Sequence, residues 1–196
     1  MSSETLFSLA GIRPEKPRLS DVTLLMVDCQ NEYLRGPLAL VNVDAAVAMA
    51  ARLLASVRHR GGRVIHIAHR GAPGGLFDRA AVRGAIIAAL SPLPGEVVIE
   101  KTRPNSFSDT GLQGAVGPAG TALLLAGFMT HMCISTTARA ALDLGYPVTI
   151  ASDACATRDL PGHEGGIVDA QTLHRAELAA LADRFAGVYD TETLLA

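Results

Sequence analysis

The sequence has no tryptophan, and its aromatic share is only 4%. A surface that stacks nucleic-acid bases needs several exposed rings, so that class of partner is disfavoured. Cysteine is also sparse. Cys29, Cys133 and Cys155 make an odd set, and none stands in a Cys-x-x-Cys pair. That argues against a disulfide framework or a cysteine-rich zinc site, and for a reducing cytoplasm. Charge imbalance is missing as well: 17 Lys and Arg against 19 Asp and Glu give a formal net charge of -2. Neither nucleic acid nor an anionic membrane surface finds an electrostatic footprint. No apolar run reaches the roughly 20 residues that a bilayer-spanning helix needs. Met1-Ser2-Ser3-Glu4 lacks the basic and apolar segments of a secretory signal.

What is present is a globular composition, 49% hydrophobic and 18% charged over 196 residues. That suits one domain over 1–196 with one sizeable core. There is no internal repeat, low-complexity tract or linker. Residues 1–20, with Pro14 and Pro17, read as an extended N-terminal arm.

Short apolar runs recur at Val22 to Val27, Val64 to Ala68, Val97 to Ile99, Ala122 to Ala126, Val148 to Ala151 and Val188-Tyr189. Continuous apolar strands are expected where both faces of a sheet are covered. Between them lie helical stripes. Val43, Val47, Ala50, Leu54 and Val57 form one, closed by Arg58, His59, Arg60 and Gly61. Ile134, Ala138, Ala141 and Leu142 form a second, and Leu178, Leu181 and Phe185 part of a third. Strand alternating with helix predicts an α/β fold with a parallel sheet and helices on both faces. The stretch 70–95 is rich in Gly and Pro. It predicts a loop at Gly71 to Gly75 and a short helix near Val82 to Leu90.

Ligands bind beyond the carboxyl ends of the strands in an open parallel sheet. Asp28 ends the first strand, Lys101 follows the third, Cys133 lies beyond the fourth, and Asp153 follows the fifth. Four polar or reactive groups are thus expected at one edge. A thiol at a helix start meets unsatisfied N–H groups and the positive dipole end, which favour thiolate. Taken singly, each residue has a plainer reading. Cys133 equally fits a buried helical thiol, Asp28 a strand-end turn residue, and Lys101 a solvated surface lysine.

Together they resemble a known set. Asp28-Cys29-Gln30-Asn31-Glu32-Tyr33 resembles the Asp-x-Gln-Asn-x-aromatic motif of isochorismatase-like cysteine hydrolases. Lys101 matches the family lysine, with Ser106-Phe107 following. Gly127-Phe128-Met129-Thr130-His131-Met132-Cys133 matches Gly-x-x-Thr-x-x-Cys. Ala140 to Tyr146 and Ser152-Asp153-Ala154-Cys155 match the segments beyond. The resemblance spans roughly 20–186.

It implies a three-layer α/β/α fold around a six-stranded, mostly parallel sheet. It also implies a catalytic triad of Asp28, Lys101 and Cys133. Cys133 would attack a carbonyl to form a thioester, Asp28 would carry the proton, and Lys101 would stabilise charge. The backbone N–H groups of Met129 and Cys133 would form an oxyanion hole beside a cis Phe128–Met129 bond. With Cys133 present, a C–N substrate such as an amide, imide, lactam or carbamoyl compound is favoured.

Nicotinamidases in the family carry an Asp-x-His…His metal site after the second strand. Here the sequence reads Ile65-His66-Ile67-Ala68-His69, with no Asp two places before a His. His66 and His69 would point to opposite faces of a strand. His66 reads as a core histidine, and no metal or other cofactor is expected. Tyr33, His69, Phe107 and His131 are candidate substrate contacts, each equally explained by packing. His174 reads as structural, and Cys29 and Cys155 as buried and inert. Arg158 to Gly166 reads as a lid or a plain surface loop. The expected partner is a small-molecule substrate, with a homo-oligomer (dimer or higher) as the working form. Three alternatives stay open: a metal-assisted nicotinamidase, a vinyl-ether hydrolase of the isochorismatase type, and a non-catalytic small-molecule-binding homolog.

Overall fold

A computed structural model describes residues 3–196. Five apolar runs carry the centre of the sheet: β1 (Thr23–Val27), β2 (Arg63–His69), β3 (Val97–Lys101), β4 (Leu123–Phe128) and β5 (Val148–Ala156). Two short strands, β6 (Leu160–Pro161) and β7 (Ile167–Val168), form a separate antiparallel hairpin. The last strand is β8 (Gly187–Tyr189). The main sheet is six-stranded and all its pairings are parallel, in the order β3-β2-β1-β4-β5-β8.

The helices are α1 (Leu6–Leu9), α2 (Val43–His59), α3 (Leu112–Val116), α4 (Ser135–Asp143), α5 (Ala170–Arg184) and α6 (Thr191–Leu195). Strand alternation sorts the core into two halves. Leu24, Met26, Leu124 and Ala126 meet Ala50, Leu53 and Leu54 of α2. Leu25, Val27, Ile65 and Ile150 meet Ile134, Ala138 and Leu181 on the side of α4 and α5. This is the three-layer α/β/α arrangement. Asp44 opens α2, Arg58 and His59 close it, and Gly61 beyond it takes a φ of 77°. That is the left-handed stop that a glycine accepts without a Cβ clash.

Three expectations need correction. The N-terminal arm is not wholly extended: its Leu6–Leu9 turn is capped by Thr5 and buries Phe7, over whose ring Arg184 lies. The helix expected near 82–90 is two 3-10 turns, Val82–Gly84 and Ala88–Leu90, tied to residues 29–31 through Ile87 N–H to Cys29 O and Asn31 N–H to Ala85 O. Strand β5 does not end at Ala151. It runs on to Ala156 because its register against β4 shifts between Leu125 and Gly127. On its other side β4 passes close to β1 at Gly127. Its φ is 123°, and a Cβ there would lie 2.0 Å from Val27 O.

The longer β5 also moves Asp153 out of the expected edge cluster. Its Oδ1 accepts from the N–H and hydroxyl of Thr191, at 2.8 and 2.6 Å. It anchors the start of α6, a structural duty. Among the described residues, no helix is long and apolar enough to cross a membrane.

Candidate active site

Asp28 leaves β1 in a left-handed conformation, φ 49°, with its N–H on Ile67 O at 2.9 Å. Asp accepts that region more readily than most residues because its side chain is short and polar. Lys101 is the last residue of β3. Cys133 sits in a π turn, Thr130–Ile134, between β4 and α4. Met129 O anchors the turn by accepting from Met132 N–H at 3.0 Å and Ile134 N–H at 3.2 Å. The Thr130 hydroxyl donates to Ala156 O at 3.1 Å, pinning the turn to β5. The Phe128–Met129 peptide just before it is cis.

These three strand ends bring Asp28, Lys101 and Cys133 together, as the sequence predicts. Lys101 Nζ lies 2.6 Å from Asp28 Oδ2, 3.2 Å from Cys133 Sγ and 3.0 Å from Arg103 O. The ammonium donates hydrogen bonds to Cys133 Sγ and the Arg103 carbonyl, and its contact with Asp28 is an ion pair. All three side chains are buried. Asp28 Oδ1 is buried too, with no hydrogen-bond partner among the described residues. A carboxylate oxygen left open in a dry site is a ready proton acceptor.

The state of the thiol differs from expectation. Burial pushes the Cys133 thiol up first, the Asp28 charge pushes it further, and the Lys101 ammonium offsets only part, leaving it at about 12. Cys133 also precedes α4, inside the π turn, so it does not sit in the first turn of an α-helix. Burial and the Asp28 charge thus favour the protonated sulfur.

The remaining candidates separate. Tyr33 is buried, edge-on to Phe77 at 5.2 Å and to Phe128 at 5.7 Å. Burial raises its hydroxyl, and the Asp28 charge adds to that. His69 packs against Phe77 at 5.0 Å. Burial lowers its ring, while Asp28 raises it and Lys101 lowers it again. Both side chains thus lie within electrostatic reach of the triad. The Phe107 ring stacks on Tyr146 at 5.8 Å and packs against the core cluster that includes Cys133 and the inner face of α4. The His131 ring is held by the Thr157 hydroxyl through Nδ1.

His66, on the opposite face of β2 from His69, hydrogen-bonds Glu96 Oε2 through Nε2 at 2.9 Å. His174 meets the Thr130 hydroxyl at 2.8 Å and so braces the turn that carries Cys133. Cys29 and Cys155 are buried, and burial raises both thiols. The segment expected as a lid or loop forms the β6–β7 hairpin.

Sequence reasoning gave no role to Gln30 or Glu32. The Gln30 side chain mimics a strand: it donates to His69 O at 2.9 Å and to Gly84 O at 2.8 Å, and accepts from His69 N–H at 2.8 Å. Glu32 accepts from Phe77 N–H at 2.9 Å. Gln30 and Glu32 stand inside the motif that pointed to Asp28, but their roles depend on a loop some 40–50 residues away.

The isochorismatase domain model matches residues 22–193. The chain belongs to the isochorismatase family. The crystal structure of an isochorismatase from Pseudomonas putida KT2440 superposes with a TM-score of 0.94 at 43% identity, covering 98% of this chain and 99% of that one. An uncharacterized isochorismatase family protein of Bacillus subtilis is 39% identical, over 88% of this chain and 97% of its own. A secreted isochorismatase effector of Verticillium dahliae is 36% identical, over 91% and 92%. The family includes amidohydrolases. A streptothricin hydrolase of Streptomyces noursei is 36% identical over 70% of this chain and 50% of its own. A maleamate amidohydrolase of Pseudomonas putida is 32% identical over 74% and 77%.

Proposed function

We propose that the protein is a cysteine-nucleophile hydrolase of a C–N bond in a small molecule carrying an amide, imide, lactam or carbamoyl group. The observation that carries this reading is the Lys101 ammonium, held between Asp28 Oδ2 at 2.6 Å and Cys133 Sγ at 3.2 Å in a buried site. The amidohydrolases among its relatives support the choice of a C–N bond.

The chemistry follows from the protonation state. Cys133 Sγ attacks the carbonyl carbon while its proton passes to Asp28. Lys101 balances the negative charge that moves from carboxylate to sulfur and then to the carbonyl oxygen. The backbone N–H groups of Met129 and Cys133 are assigned to that oxygen. Collapse breaks the C–N bond, and Asp28 returns the proton to the leaving nitrogen. Water then attacks the thioester with Asp28 as base, releasing the acid and restoring the thiol.

The test is a panel of small amides, lactams and carbamoyl compounds, with a vinyl ether included, run on the purified protein and on Cys133→Ala. A turned-over C–N compound and a trapped acyl adduct on Cys133 are expected. Undiminished turnover by Cys133→Ala would overturn the mechanism, and turnover of the vinyl ether alone would overturn the substrate class.

A further inference from the structure

We propose that Glu32 is a positioning residue, whose buried carboxylate fastens the 71–77 loop to the turn after β1 and so holds the Phe77 ring against Tyr33 and His69, as a wall beside the cluster of Asp28, Lys101 and Cys133. The inference rests on the function proposed above.

Glu32 lies in the 3-10 turn Asn31–Tyr33 and is only 1% exposed. A carboxylate is costly to bury without partners. Its partners all come from one distant segment. Oε2 accepts from Phe77 N–H at 2.9 Å and from Arg83 Nε at 2.7 Å, while Oε1 faces Arg83 Nη2. The loop is otherwise closed on itself. Gly71 N–H donates to Phe77 O at 3.1 Å, Gly75 N–H to Ala72 O at 3.0 Å, and Gly74 N–H to Asp78 Oδ2 at 2.8 Å. A Cβ on Gly71 would lie 1.8 Å from Leu76 O, so the loop has no slack at its base. Gln30 and Asn31 tie the following 82–87 segment to the turn after Asp28, and Glu32 is the side chain whose hydrogen bond reaches the 71–77 loop itself.

Phe77 itself is held in an unusual state. Its φ is 56°, a region that bulky residues rarely occupy. Such conformations persist where the surroundings over-determine them, often beside functional sites. Here the N–H goes to Glu32, the carbonyl to Gly71, and the ring to Tyr33 and His69. Both partners adjoin the reactive cluster: His69 is paired with Lys101 in the β2–β3 register, and the Tyr33 ring also packs on Phe128, just before the turn that carries Cys133. Glu32 and Tyr33 are neighbours on one turn, so a single element presents a ring and fixes the ring that packs on it. Arg83, with its side chain 40% exposed, closes the clamp from outside.

The test compares labelling of Cys133 by iodoacetamide and by a pyrene maleimide at alkaline pH, read by mass spectrometry. Glu32→Ala removes both contacts. Glu32→Gln keeps an acceptor for Phe77 but loses the ionic clamp, and Arg83→Gln does the same from the exposed end. In Glu32→Ala the maleimide-to-iodoacetamide ratio at Cys133 should rise about tenfold, as a local opening would produce. Glu32→Gln and Arg83→Gln should rise less. On any substrate found, Glu32→Gln should raise KM about tenfold with kcat within about threefold, the pattern of lost substrate positioning.

An unchanged ratio would overturn the proposal. So would a parallel rise at Cys29 and Cys155, which would mean general loosening. The labelling ratio needs no turnover. Its failure alongside an inactive Cys133→Ala removes only the wall assignment, and active Cys133→Ala alongside a raised ratio removes only the hydrolase mechanism.

Discussion

Asp28 Oδ2 and Lys101 Nζ face each other at 2.6 Å from the ends of two strands that are not adjacent, β1 and β3, with both side chains fully buried. Strand β2 lies between them, so only residues projecting past the sheet edge can meet this way. The pair is a buried ion pair, and such pairs are more dangerous to break than to replace. Lys101→Met would leave Asp28 charged and buried with nothing opposite. It should lower stability by about 3–5 kcal/mol. The double variant Asp28→Asn with Lys101→Met should recover part of that loss, while both remain inactive. Denaturant unfolding of the wild type, Asp28→Asn, Lys101→Met and the double variant checks this. Additive losses in the double variant would show that the two charges do not depend on each other.

Glu96 is a partly buried carboxylate with four close partner contacts. It takes Arg58 Nη2 at 2.7 Å, Leu93 N–H at 2.8 Å and His66 Nε2 at 2.9 Å on one oxygen, and Arg58 Nε at 2.8 Å on the other. Burial alone would raise its pKa, but Arg58, the Leu93 amide and His66 outweigh that and hold it at about 2. A depressed carboxylate adds stability that is present above its ordinary pKa and lost as pH falls through the folded value. The window here runs from 4.5 down to about 2. Glu96→Gln should be less stable at neutral pH and show a flatter acid limb in that window. Thermal melts across pH for both proteins give the comparison, and identical acid limbs would remove Glu96 from the account.

Gly127 sets how closely β4 can pass β1 just before the turn that carries Cys133. Gly127→Ala would place a Cβ 2.0 Å from Val27 O, at a φ of 123°. Backbone oxygen cannot rotate away as a side chain can. The cost should exceed about 3 kcal/mol, because overpacking and conformational strain act together. Stability and Cys133 labelling should both be disturbed, whereas Gly120→Ala, open to solvent at φ 91°, should pay the conformational cost alone.

The sheet and the edge positions of Asp28, Lys101 and Cys133 were legible because parallel strands with covered faces leave continuous apolar runs, and the end of each run marks the edge. That rule failed at β5. Ser152 and Asp153 interrupt the apolar run while the strand continues to Ala156, since a bulge and the Thr191 contact absorb the polar side chains. The 82–90 segment read as a helix from composition, but its backbone groups are claimed by Cys29, Asn31 and Gln30 across the fold. Phe107 stood at a motif position and yet packs on Tyr146, a partner that no local pattern announces. The thiol's state was also out of reach, because burial and the Asp28 charge act in three dimensions and together exceed the pull of Lys101.

That last difference gives the sharpest prediction. If burial and Asp28 hold the Cys133 thiol at about 12, its alkylation rate should climb with pH through the neutral and alkaline range, with no plateau near neutrality. At neutral pH it should label slowly, as should Cys29 and Cys155, which burial also raises. Asp28→Asn removes a negative charge beside the sulfur and leaves the Lys101 ammonium in place. The thiol pKa must then fall, so labelling of Cys133 at neutral pH should speed up and stand out from the other two. Turnover should move the opposite way, falling about a hundred- to ten-thousandfold, since an amide cannot accept the proton. Lys101→Met should slow labelling and turnover together. Rate against pH for each thiol, measured by mass spectrometry in the wild type and both variants, resolves the signs. Faster labelling with lost turnover in Asp28→Asn is what a proton-accepting Asp28 requires. Slower labelling there would mean that the carboxylate promotes the thiolate at rest, and a wild-type plateau near neutrality would mean that Lys101 prevails over burial.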